Sequence, residues 1–439
     1  MQINKDKLAR QELGADKVVA NFNKGLGATI EWATGVGKSM LAEIIINRML
    51  VRDNKRTSII VVPTDQLKEQ WETKIIKRKI KNTKVYVVNG ITINEIDLSC
   101  NLLILDEGHR FASDIFSRVF NIKHQFLLIL TATIDRLDGR HSLLLEKAPI
   151  VDTITLHEAK RNGWVSDYLE YNLGLELTEY DREEYNKLHK RFVKLFAYFG
   201  HDFNTVKECA TKPGAEKFAK ERELDPRYVV ANAVQCMKAM RDRKTFLYGT
   251  VAKQEATLEL IKKFNLKTIT FAESTEFADK LTNAINEELG EISLSYHSNL
   301  KSVIIDGKKF GPTKLKREVL KRFSDNRYKI TIVNTAKALD QGSDFPDVVM
   351  GIICSSTSNP TQATQRVGRI LRDFINKNGD KKLAIIVNLY IKNTQDEKWL
   401  VKRQTDPKTK RPVNPNIIWV DSIKEIEYGT ESVPLSAFD

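Results

Sequence analysis

The sequence lacks the features that mark secreted, zinc-binding and membrane proteins. Only four of its 439 residues are cysteine, at positions 100, 209, 236 and 354, and no two of them form a C-x-x-C pair. Neither a zinc site nor a disulfide framework is therefore expected. No run approaches the roughly 18 uninterrupted apolar residues of a membrane-spanning helix. The opening segment MQINKDKLARQEL does not have the pattern of a signal peptide, so we expect an intracellular, cytoplasmic protein without a membrane partner.

Negative charge is the scarcer sign, because 57 Asp and Glu stand against 70 Lys and Arg, for a formal net charge of +13. Such an excess is compatible with binding to nucleic acid or to an anionic membrane surface, and equally with an ordinary basic surface. The excess is concentrated in three stretches: Lys74, Lys77, Arg78, Lys79, Lys81 and Lys84; Lys301, Lys308, Lys309, Lys314, Lys316, Arg317, Lys321 and Arg322; and Lys402, Arg403, Lys408, Lys410 and Arg411. Each stretch could bind phosphates, although a run of charge is more commonly solvated surface.

Two series of short apolar runs alternate with amphipathic, charged stretches. This alternation, in residues 28–133 and again in 267–390, is typical of βαβ units with a buried parallel sheet. It predicts two α/β lobes. Residues from about 176 to 240 have helical periodicity and predict a helical insert, and KTFLYGT at 244–250 is a candidate first strand of the second lobe. The predicted domains are a first lobe at 1–155, a linker and helical insert at 156–240, a second lobe at 241–390 and a basic tail at 391–439.

A short glycine loop, ATGVGKS, lies between an apolar strand and the helical run MLAEIIINRML. Glycines at two positions let backbone N–H groups turn inward around phosphate oxygens, where the N-terminus of the helix adds its positive dipole end. Lys38 is expected to reach the β and γ phosphates, and Ser39 to offer a hydroxyl to Mg²⁺. The predicted nucleotide-binding residues of this loop are Thr34, Gly35, Val36, Gly37, Lys38 and Ser39.

Two adjacent carboxylates follow the apolar run LLIL, at Asp106 and Glu107. Acidic residues at the start of a helix are common for electrostatic reasons alone. Together with a phosphate loop, however, they supply a metal-holding carboxylate and a residue that orients the attacking water. We therefore predict that Asp106 holds Mg²⁺ with Ser39, and that Glu107 acts on the water as a catalytic residue with Lys38.

The order ATGVGKS and then DEGH resembles motifs I and II of the superfamily 2 helicases. Further segments resemble the remaining motifs of that family: Arg10-Gln11 the upstream glutamine element, VVPTDQLKEQW at 61–71 motif Ia, LTATIDRLDGR at 130–140 motif III, KTITFAES at 267–274 motif IV, VNTAKALDQGSDFPD at 333–347 motif V and QATQRVGRILR at 362–372 motif VI. The resemblance implies an α/β protein of two RecA-like lobes, each with a mostly parallel sheet, and ATP bound in the cleft between them.

The same resemblance assigns roles to single residues. Gln11 is expected to read adenine, Gly342 and Asp344 to face the nucleotide, and Arg369 and Arg372 to be catalytic arginine fingers from the second lobe. Independently, Gln365, Arg369 and Arg372 share one face at helical spacing, where cations could stabilise the transferring phosphoryl group. The residues that the family resemblance assigns to a nucleic-acid strand are Pro63, Thr64, Ser274 and Thr335.

The middle basic stretch surrounds Asp306-Gly307, a turn signal between apolar and basic residues. It predicts a basic hairpin or loop on the second lobe. We expect this element to contact or separate DNA strands, through the lysines Lys308, Lys309, Lys314 and Lys316.

The motifs are most similar to those of XPB, UvsW and RecG-related enzymes and of type I and III restriction motors, and less similar to DEAD-box RNA helicases. The size is that of a small phage-type helicase, which would act in a host cytoplasm. The prediction is a monomeric, ATP- and Mg²⁺-dependent DNA helicase that unwinds or branch-migrates forked or junction DNA in recombination, repair or replication. Alternatives are a double-stranded DNA translocase, an RNA helicase, a non-motor P-loop kinase and a silent clamp.

Overall fold

The structure is a computed structural model of the chain. It describes residues 5–90, 98–112, 116–134, 139–305, 308–325, 327–336, 347–355, 357, 366, 368, 370, 383–405 and 410–428. Within these residues the chain forms two parallel sheets flanked by helices, as the motif order predicts.

The first sheet has six described strands in the order β3-β2-β4-β5-β1-β6, all parallel. The strands are β1 (Ala28–Trp32), β2 (Ser58–Val62), β3 (Thr83–Val87), β4 (Ser99–Asp106), β5 (Lys123–Thr131) and β6 (Ile150–Ile154). The helices of this lobe are α1 (Lys5–Phe22), α2 (Lys38–Arg52), α3 (Asp65–Arg78), α4 (Ser142–Lys147) and α5 (Leu156–Arg161).

The centre of this sheet is apolar on both faces, which explains its parallel arrangement. Every residue of β2 is buried, and so are the last five residues of β4. Parallel strands covered on both sides read as continuous apolar runs. Each buried Ile, Leu or Val side chain stabilises the fold by about 1.5–3 kcal/mol. In this sheet only β5 separates β1 from β4, so the carboxyl ends of β1 and β4 lie close together.

The second sheet has seven described strands in the order β15-β7-β14-β13-β8-β12-β9. They are β7 (Asp167–Leu175), β8 (Thr268–Ala272), β9 (Ser293–His297), β12 (Ile332–Ala336), β13 (Met350–Ile353), β14 (Leu383–Ile391) and β15 (Ile418–Val420), all parallel. Helices α10 (Val251–Phe264), α11 (Thr275–Leu289), α12 (Pro312–Ser324) and α13 (Gln395–Gln404) belong to this lobe.

The helical insert is present, and it lies between two strands of the second sheet. It consists of α6 (Glu179–Tyr198), α7 (Phe203–Cys209), α8 (Lys212–Lys220) and α9 (Pro226–Tyr248). These helices share a core of their own that includes Phe192, Phe218 and Cys236. Because β7 precedes the insert and β8 follows it, the chain joins the second sheet before it forms the insert. We therefore propose to count β7 and β15 with the second lobe.

The strand that we predicted at 244–250 is wrong. Residues 244–248 form the last turns of α9, and Thr250 caps the start of α10. The apolar residues of this run continue the buried face of the helix, since Ala239, Arg243 and Leu247 all point inward at four-residue spacing. A run of three apolar or aromatic residues, here Phe246, Leu247 and Tyr248, fits a strand and a helix end equally well, and the preceding helix decides between them.

The basic hairpin of the second lobe is confirmed. Strands β10 (Val303–Ile305) and β11 (Lys308–Phe310) pair antiparallel, and the predicted turn between them lies outside the described residues. Helix α12 follows directly. In the tail, Trp399 packs against Tyr248 with ring centroids 6.0 Å apart, whereas Trp419 remains half exposed beside Tyr390. No helix in the described part of the chain is long and apolar enough to cross a membrane.

Candidate nucleotide-binding site

The glycine loop joins the end of β1 to the start of α2 in a conformation that needs its glycines. Gly35 and Gly37 have φ angles of 95° and 107°, which side chains with a Cβ rarely adopt. A Cβ on Gly37 would also lie 2.2 Å from the Gln11 side chain. The Lys38 amine donates to the Trp32 carbonyl at 2.8 Å, so it is folded back across the loop. The loop therefore has the closed turn that a phosphate cradle requires.

Trp32 occupies the position before the loop, and its buried indole anchors the loop to the sheet edge. The indole N–H donates to Asp152 at 2.8 Å, and Arg10 pairs with the same carboxylate at 2.7 Å. Burial alone would raise the pKa of Asp152, but hydrogen bonds from Arg10, Lys17 and Trp32 hold the pKa below its usual value. The carboxylate is thus kept ionised beneath the loop.

Gln11 lies against the loop itself. Its amide Nε2 donates to the Val36 carbonyl at 2.8 Å, and its side chain is buried. In this arrangement the glutamine ties α1 to the phosphate loop. The sequence prediction that Gln11 reads adenine therefore stays a prediction.

The two carboxylates lie at the end of β4, facing the loop. One oxygen of Asp106 accepts from the Glu107 backbone N–H at 3.0 Å, and the other accepts from the Trp71 indole at 2.8 Å. Burial raises the pKa of Asp106, and the charge of Glu107 adds to the rise, while Trp71 and Lys38 oppose it. Glu107 has a φ of 57°, a left-handed backbone angle that residues other than glycine rarely adopt.

His109 links motif II to motif III. Its Nδ1 lies 3.2 Å from the Thr131 hydroxyl and 3.7 Å from a Glu107 carboxylate oxygen. Thr131 in turn donates to the Thr133 carbonyl at 2.6 Å. Because Thr131 and Thr133 belong to LTAT, this chain of contacts joins the Glu107 carboxylate to the adjacent motif. His109 was not among the residues that we predicted for the site.

One cleft receives the loop and both carboxylates. Its lining residues are Thr34, Gly35, Gly37, Lys38, Ser39, Leu67, Gln70, Trp71, Lys74, Asp106 and Glu107. Four of these come from α3, and we predicted none of the four for the nucleotide site, although we named Lys74 as a possible phosphate-binding residue. Motif Ia carried the signal, since the last residues of VVPTDQLKEQW are Gln70 and Trp71. Val36, the remaining loop residue of our prediction, is buried beneath the loop.

The donor groups in this cleft fit Mg²⁺ bound together with a phosphate ligand. Ser39 offers a hydroxyl and Asp106 a carboxylate, which are oxygen ligands of the kind that Mg²⁺ prefers. Among the described residues no group of three or more His, Cys, Asp and Glu side chains could hold a metal ion. A protein that supplies one or two oxygens and leaves the rest to phosphate and water is typical of Mg²⁺ sites.

The second lobe approaches the phosphate loop through motif VI. Residues 366, 368 and 370 are helical, and a Cβ on Gly368 would lie 2.5 Å from the Thr34 side chain. Arg366 points the other way, into its own lobe, where it binds Glu273 at 2.8 Å. Ile370 packs onto Gly351 of β13. The predicted residues Gly342, Asp344, Arg369 and Arg372 lie outside the described residues.

The approach of Gly368 to Thr34 makes a testable prediction. In the variant Gly368→Ala the added methyl group meets the loop, and relief of such a clash costs about 1–3 kcal/mol. We expect the closed arrangement to become about 10- to 100-fold less populated and kcat for ATP hydrolysis to fall by a similar factor. Steady-state hydrolysis and unfolding curves measure the two effects. An unchanged kcat in a normally folded variant would contradict this contact.

The predicted nucleic-acid residues lie at equivalent edges of the two sheets. Thr64 follows β2 and caps α3, and Ser274 follows β8 and caps α11, each accepting from a backbone N–H. Pro63, directly after β2, is buried, and Thr335 is buried in β12 with 1% exposure. The lysines of the predicted basic element lie on or after the hairpin, with exposed Lys308, Lys309 and Lys314 and half-buried Lys316.

Comparisons with known proteins agree with this geometry. Residues 6–136 match a family model described as type III restriction enzyme, res subunit, and residues 252–373 match the helicase conserved C-terminal domain. The chain is 25% identical over 417 residues to the DNA 3'-5' translocase XPB2 of Sulfurisphaera tokodaii, covering 89% of this chain and 84% of that protein.

Solved structures share the fold. The helicase domain of Pyrococcus furiosus Hef is 16% identical with a TM-score of 0.51, over 91% of this chain and 99% of that one. A fragment described as the HsdR subunit of a type I restriction enzyme from Vibrio vulnificus YJ016 is 16% identical with a TM-score of 0.57, over 94% of this chain and 68% of that one. With the ordered motifs, the two parallel sheets and both family models in agreement, the chain belongs to the superfamily 2 helicases, enzymes that hydrolyse ATP to drive movement along nucleic acid.

Proposed function

We propose that this protein is an ATP- and Mg²⁺-dependent DNA helicase or translocase that remodels forked or junction DNA in recombination, repair or replication. The observation that carries the proposal is the contact between Gly368 of motif VI and Thr34 of the phosphate loop. A nucleotide in this loop lies against both lobes. Its binding and hydrolysis therefore change how tightly the lobes close, which is the motion that a motor requires.

The roles that we propose in hydrolysis follow from the cleft. Lys38 binds the β and γ phosphates once it leaves the Trp32 carbonyl, and Ser39 and Asp106 hold Mg²⁺. The metal screens the charge of the phosphates. Glu107 orients the attacking water. Gly368 faces the loop, and the helical spacing of the sequence therefore supports the proposal that Arg369 and Arg372 act on the γ phosphate. We also propose that Gly342 and Asp344 lie beside the nucleotide. Gln11 would contact the adenine base.

The strand contacts that we propose rest on two helix N-termini. Helices α3 and α11 are capped by Thr64 and Ser274, at the carboxyl ends of strands that occupy interior positions in their sheets. A helix N-terminus attracts phosphate through its dipole and its unpaired N–H groups. Two such sites, one on each lobe, would grip one strand by its backbone, which carries no sequence information. We place Pro63 and Thr335 beneath these contacts because both are buried.

The choice of DNA rests on the relative from Sulfurisphaera tokodaii, whose name describes a DNA 3'-5' translocase. We propose the same substrate and direction for this chain, acting as a monomer. The decisive experiment measures ATP hydrolysis with no nucleic acid, single-stranded DNA, forked DNA and RNA, and displacement of a labelled strand from the fork. We expect DNA to stimulate hydrolysis and the labelled strand to be released. Stimulation by RNA alone would exclude the DNA assignment, and no response to any nucleic acid would exclude a motor.

The basic hairpin provides a separate prediction. Replacing Lys308, Lys309, Lys314 and Lys316 with alanine removes four charges from one surface of the second lobe. For single strands the slope of log affinity against log salt falls by about 0.7 per phosphate contact. We expect the slope to fall by up to about 3 and DNA affinity to drop at least about tenfold at low salt. Fluorescence anisotropy across a salt series measures both quantities.

Hydrolysis without nucleic acid should be unchanged in this variant, because the hairpin does not line the nucleotide cleft. A matched control replaces Lys187, Lys212, Lys217 and Lys220 of the helical insert, which are also exposed, and so removes the same charge elsewhere. Equal losses in both variants would show that only total charge matters, and unchanged unwinding by the hairpin variant would refute its role at the fork.

A further inference from the structure

Helix α3 contacts three parts of the molecule that the proposed cycle must connect. Its N-terminus is capped by Thr64, where we propose a phosphate contact. Its middle carries Trp71, which reaches the carboxylate of Asp106. On its exposed side, Glu69 forms an ion pair with Arg317 of α12 in the second lobe. No other helix described here has all three connections.

The Trp71 contact is made by one specific atom. The indole N–H donates to an Asp106 oxygen at 2.8 Å, while the rings pack in the core of the first lobe with 3% exposure. Tryptophan is the aromatic residue that combines a large apolar body with a donor aimed from the ring edge. The second Asp106 oxygen is held by the Glu107 backbone N–H. The orientation of the carboxylate is therefore set jointly by the end of β4 and by α3.

Thr64 and Trp71 lie close together along α3. Trp71 follows Thr64 by seven residues, about 10 Å along a helix that rises 1.5 Å per residue. Leu67 and Trp71 are buried and anchor the inward face of α3. A helix of this length moves as one body, because backbone hydrogen bonds join its successive turns. A shift of the first turn toward a bound phosphate therefore also moves the indole against Asp106.

We propose that Trp71 is a positioning residue for Asp106 and that α3 transmits strand binding at Thr64 to the metal-holding carboxylate through this hydrogen bond. The proposal rests on the function proposed above and names the residues that would couple strand binding to the nucleotide site. Strand binding at the first turn orients the Asp106 oxygens for the metal bound with ATP. The Glu69 and Arg317 pair allows the second lobe to act on the same helix when the lobes close.

The first test measures nucleotide binding and not turnover. The affinity of a fluorescent ATP analogue is determined in EDTA and in Mg²⁺ for the wild type and for Trp71→Phe, which keeps a buried ring and removes the N–H. Loss of a hydrogen bond to a metal-binding side chain typically weakens metal binding by about 10- to 100-fold. We expect unchanged affinity in EDTA and a gain from Mg²⁺ that is smaller by about tenfold.

Trp164→Phe is the matched control. Trp164 is also buried, at 6% exposure, but no acceptor for its indole N–H lies among the described residues. Its replacement should leave both affinities as in the wild type. A full Mg²⁺-dependent gain in Trp71→Phe would overturn the proposal. A parallel loss in EDTA would also overturn it, because that result indicates a purely structural role. If Trp71→Phe does not fold, benzothienylalanine at this position removes the N–H while it keeps the shape of the indole.

The second test measures stimulation of ATP hydrolysis by single-stranded DNA. We expect the stimulation factor of Trp71→Phe to fall about tenfold while its DNA affinity is retained. A wild-type factor in the variant would refute transmission through the indole. A wild type that DNA does not stimulate would refute the proposed function and the coupling together, whereas the metal-dependent binding gain would still decide whether Trp71 positions Asp106.

Discussion

Replacement of Glu107 by glutamine is expected to lower kcat for ATP hydrolysis by about 10³-fold, within the range of 10² to 10⁴ for loss of a positioned base. The amide has the shape of the carboxylate but cannot accept a proton from the attacking water. Glu107 lines the nucleotide cleft beside Lys38 and Ser39, and its backbone has an uncommon left-handed φ angle. Single-turnover hydrolysis with saturating DNA measures the effect.

Binding of ATP should survive this change. In the proposed site the phosphate contacts come from the loop and the metal contacts from Asp106. The affinity for a fluorescent ATP analogue is therefore expected to stay within about twofold, well below the effect of a lost charged hydrogen bond. Glu216→Gln, at an exposed position of the helical insert, provides the control for a change of charge alone. Substantial hydrolysis by Glu107→Gln would assign the water to another residue, and His109 would then be the first to examine.

Replacement of Arg366 by methionine is expected to lower the free energy of unfolding by about 3–5 kcal/mol, the usual cost of breaking a buried ion pair from one side. Arg366 and Glu273 are 1% and 3% exposed and lie 2.8 Å apart. The guanidinium also donates to the Ser355 carbonyl at 3.1 Å. Methionine leaves the Glu273 carboxylate buried without its cation. Chemical denaturation followed by circular dichroism measures the loss.

A compensating variant tests the cause. Arg366→Met combined with Glu273→Leu removes both charges, and apolar replacement of a whole buried pair is commonly neutral or stabilising. The double variant should therefore recover most of the stability of the wild type. Lys187→Met breaks an exposed pair with Glu184 and should have little effect, because solvent screens that pair. A small loss in the Arg366 single variant would contradict a stabilising role for this buried ion pair.

The strands of the first lobe could be predicted from the sequence, because they are continuous apolar runs followed by the phosphate loop or by the two carboxylates. SIIVV forms β2, and the apolar run before Asp106 and Glu107 forms β4. Both carboxylates and the phosphate loop meet in one cleft, as parallel strand ends at one edge of a sheet must. The four cysteines are buried and unpaired, in agreement with their spacing.

Strand β7 shows why part of the second sheet was missed. Its sequence DYLEYNLGL alternates apolar and polar residues, which does not indicate a strand buried on both sides. The polar residues find partners from distant segments: Glu170 accepts from Asn388 at 3.0 Å, and from Asn414 at 2.9 Å. Asn172 and Gln404 bond to each other. Such partners are far apart in sequence, so no local pattern contains them.

The sequence by itself determined the family, the two-lobe fold and the residues of the phosphate loop and of motif II, because these depend on local runs of a few residues with fixed spacing. The tertiary structure alone decided which side chains support them. Trp71 reaches Asp106 across 35 positions, Arg366 reaches Glu273 across 93, and Gly368 meets Thr34 from the other lobe. These contacts arise only when the sheets pack and the lobes close, since each requires complementary shape and charge from segments that are not neighbours along the chain.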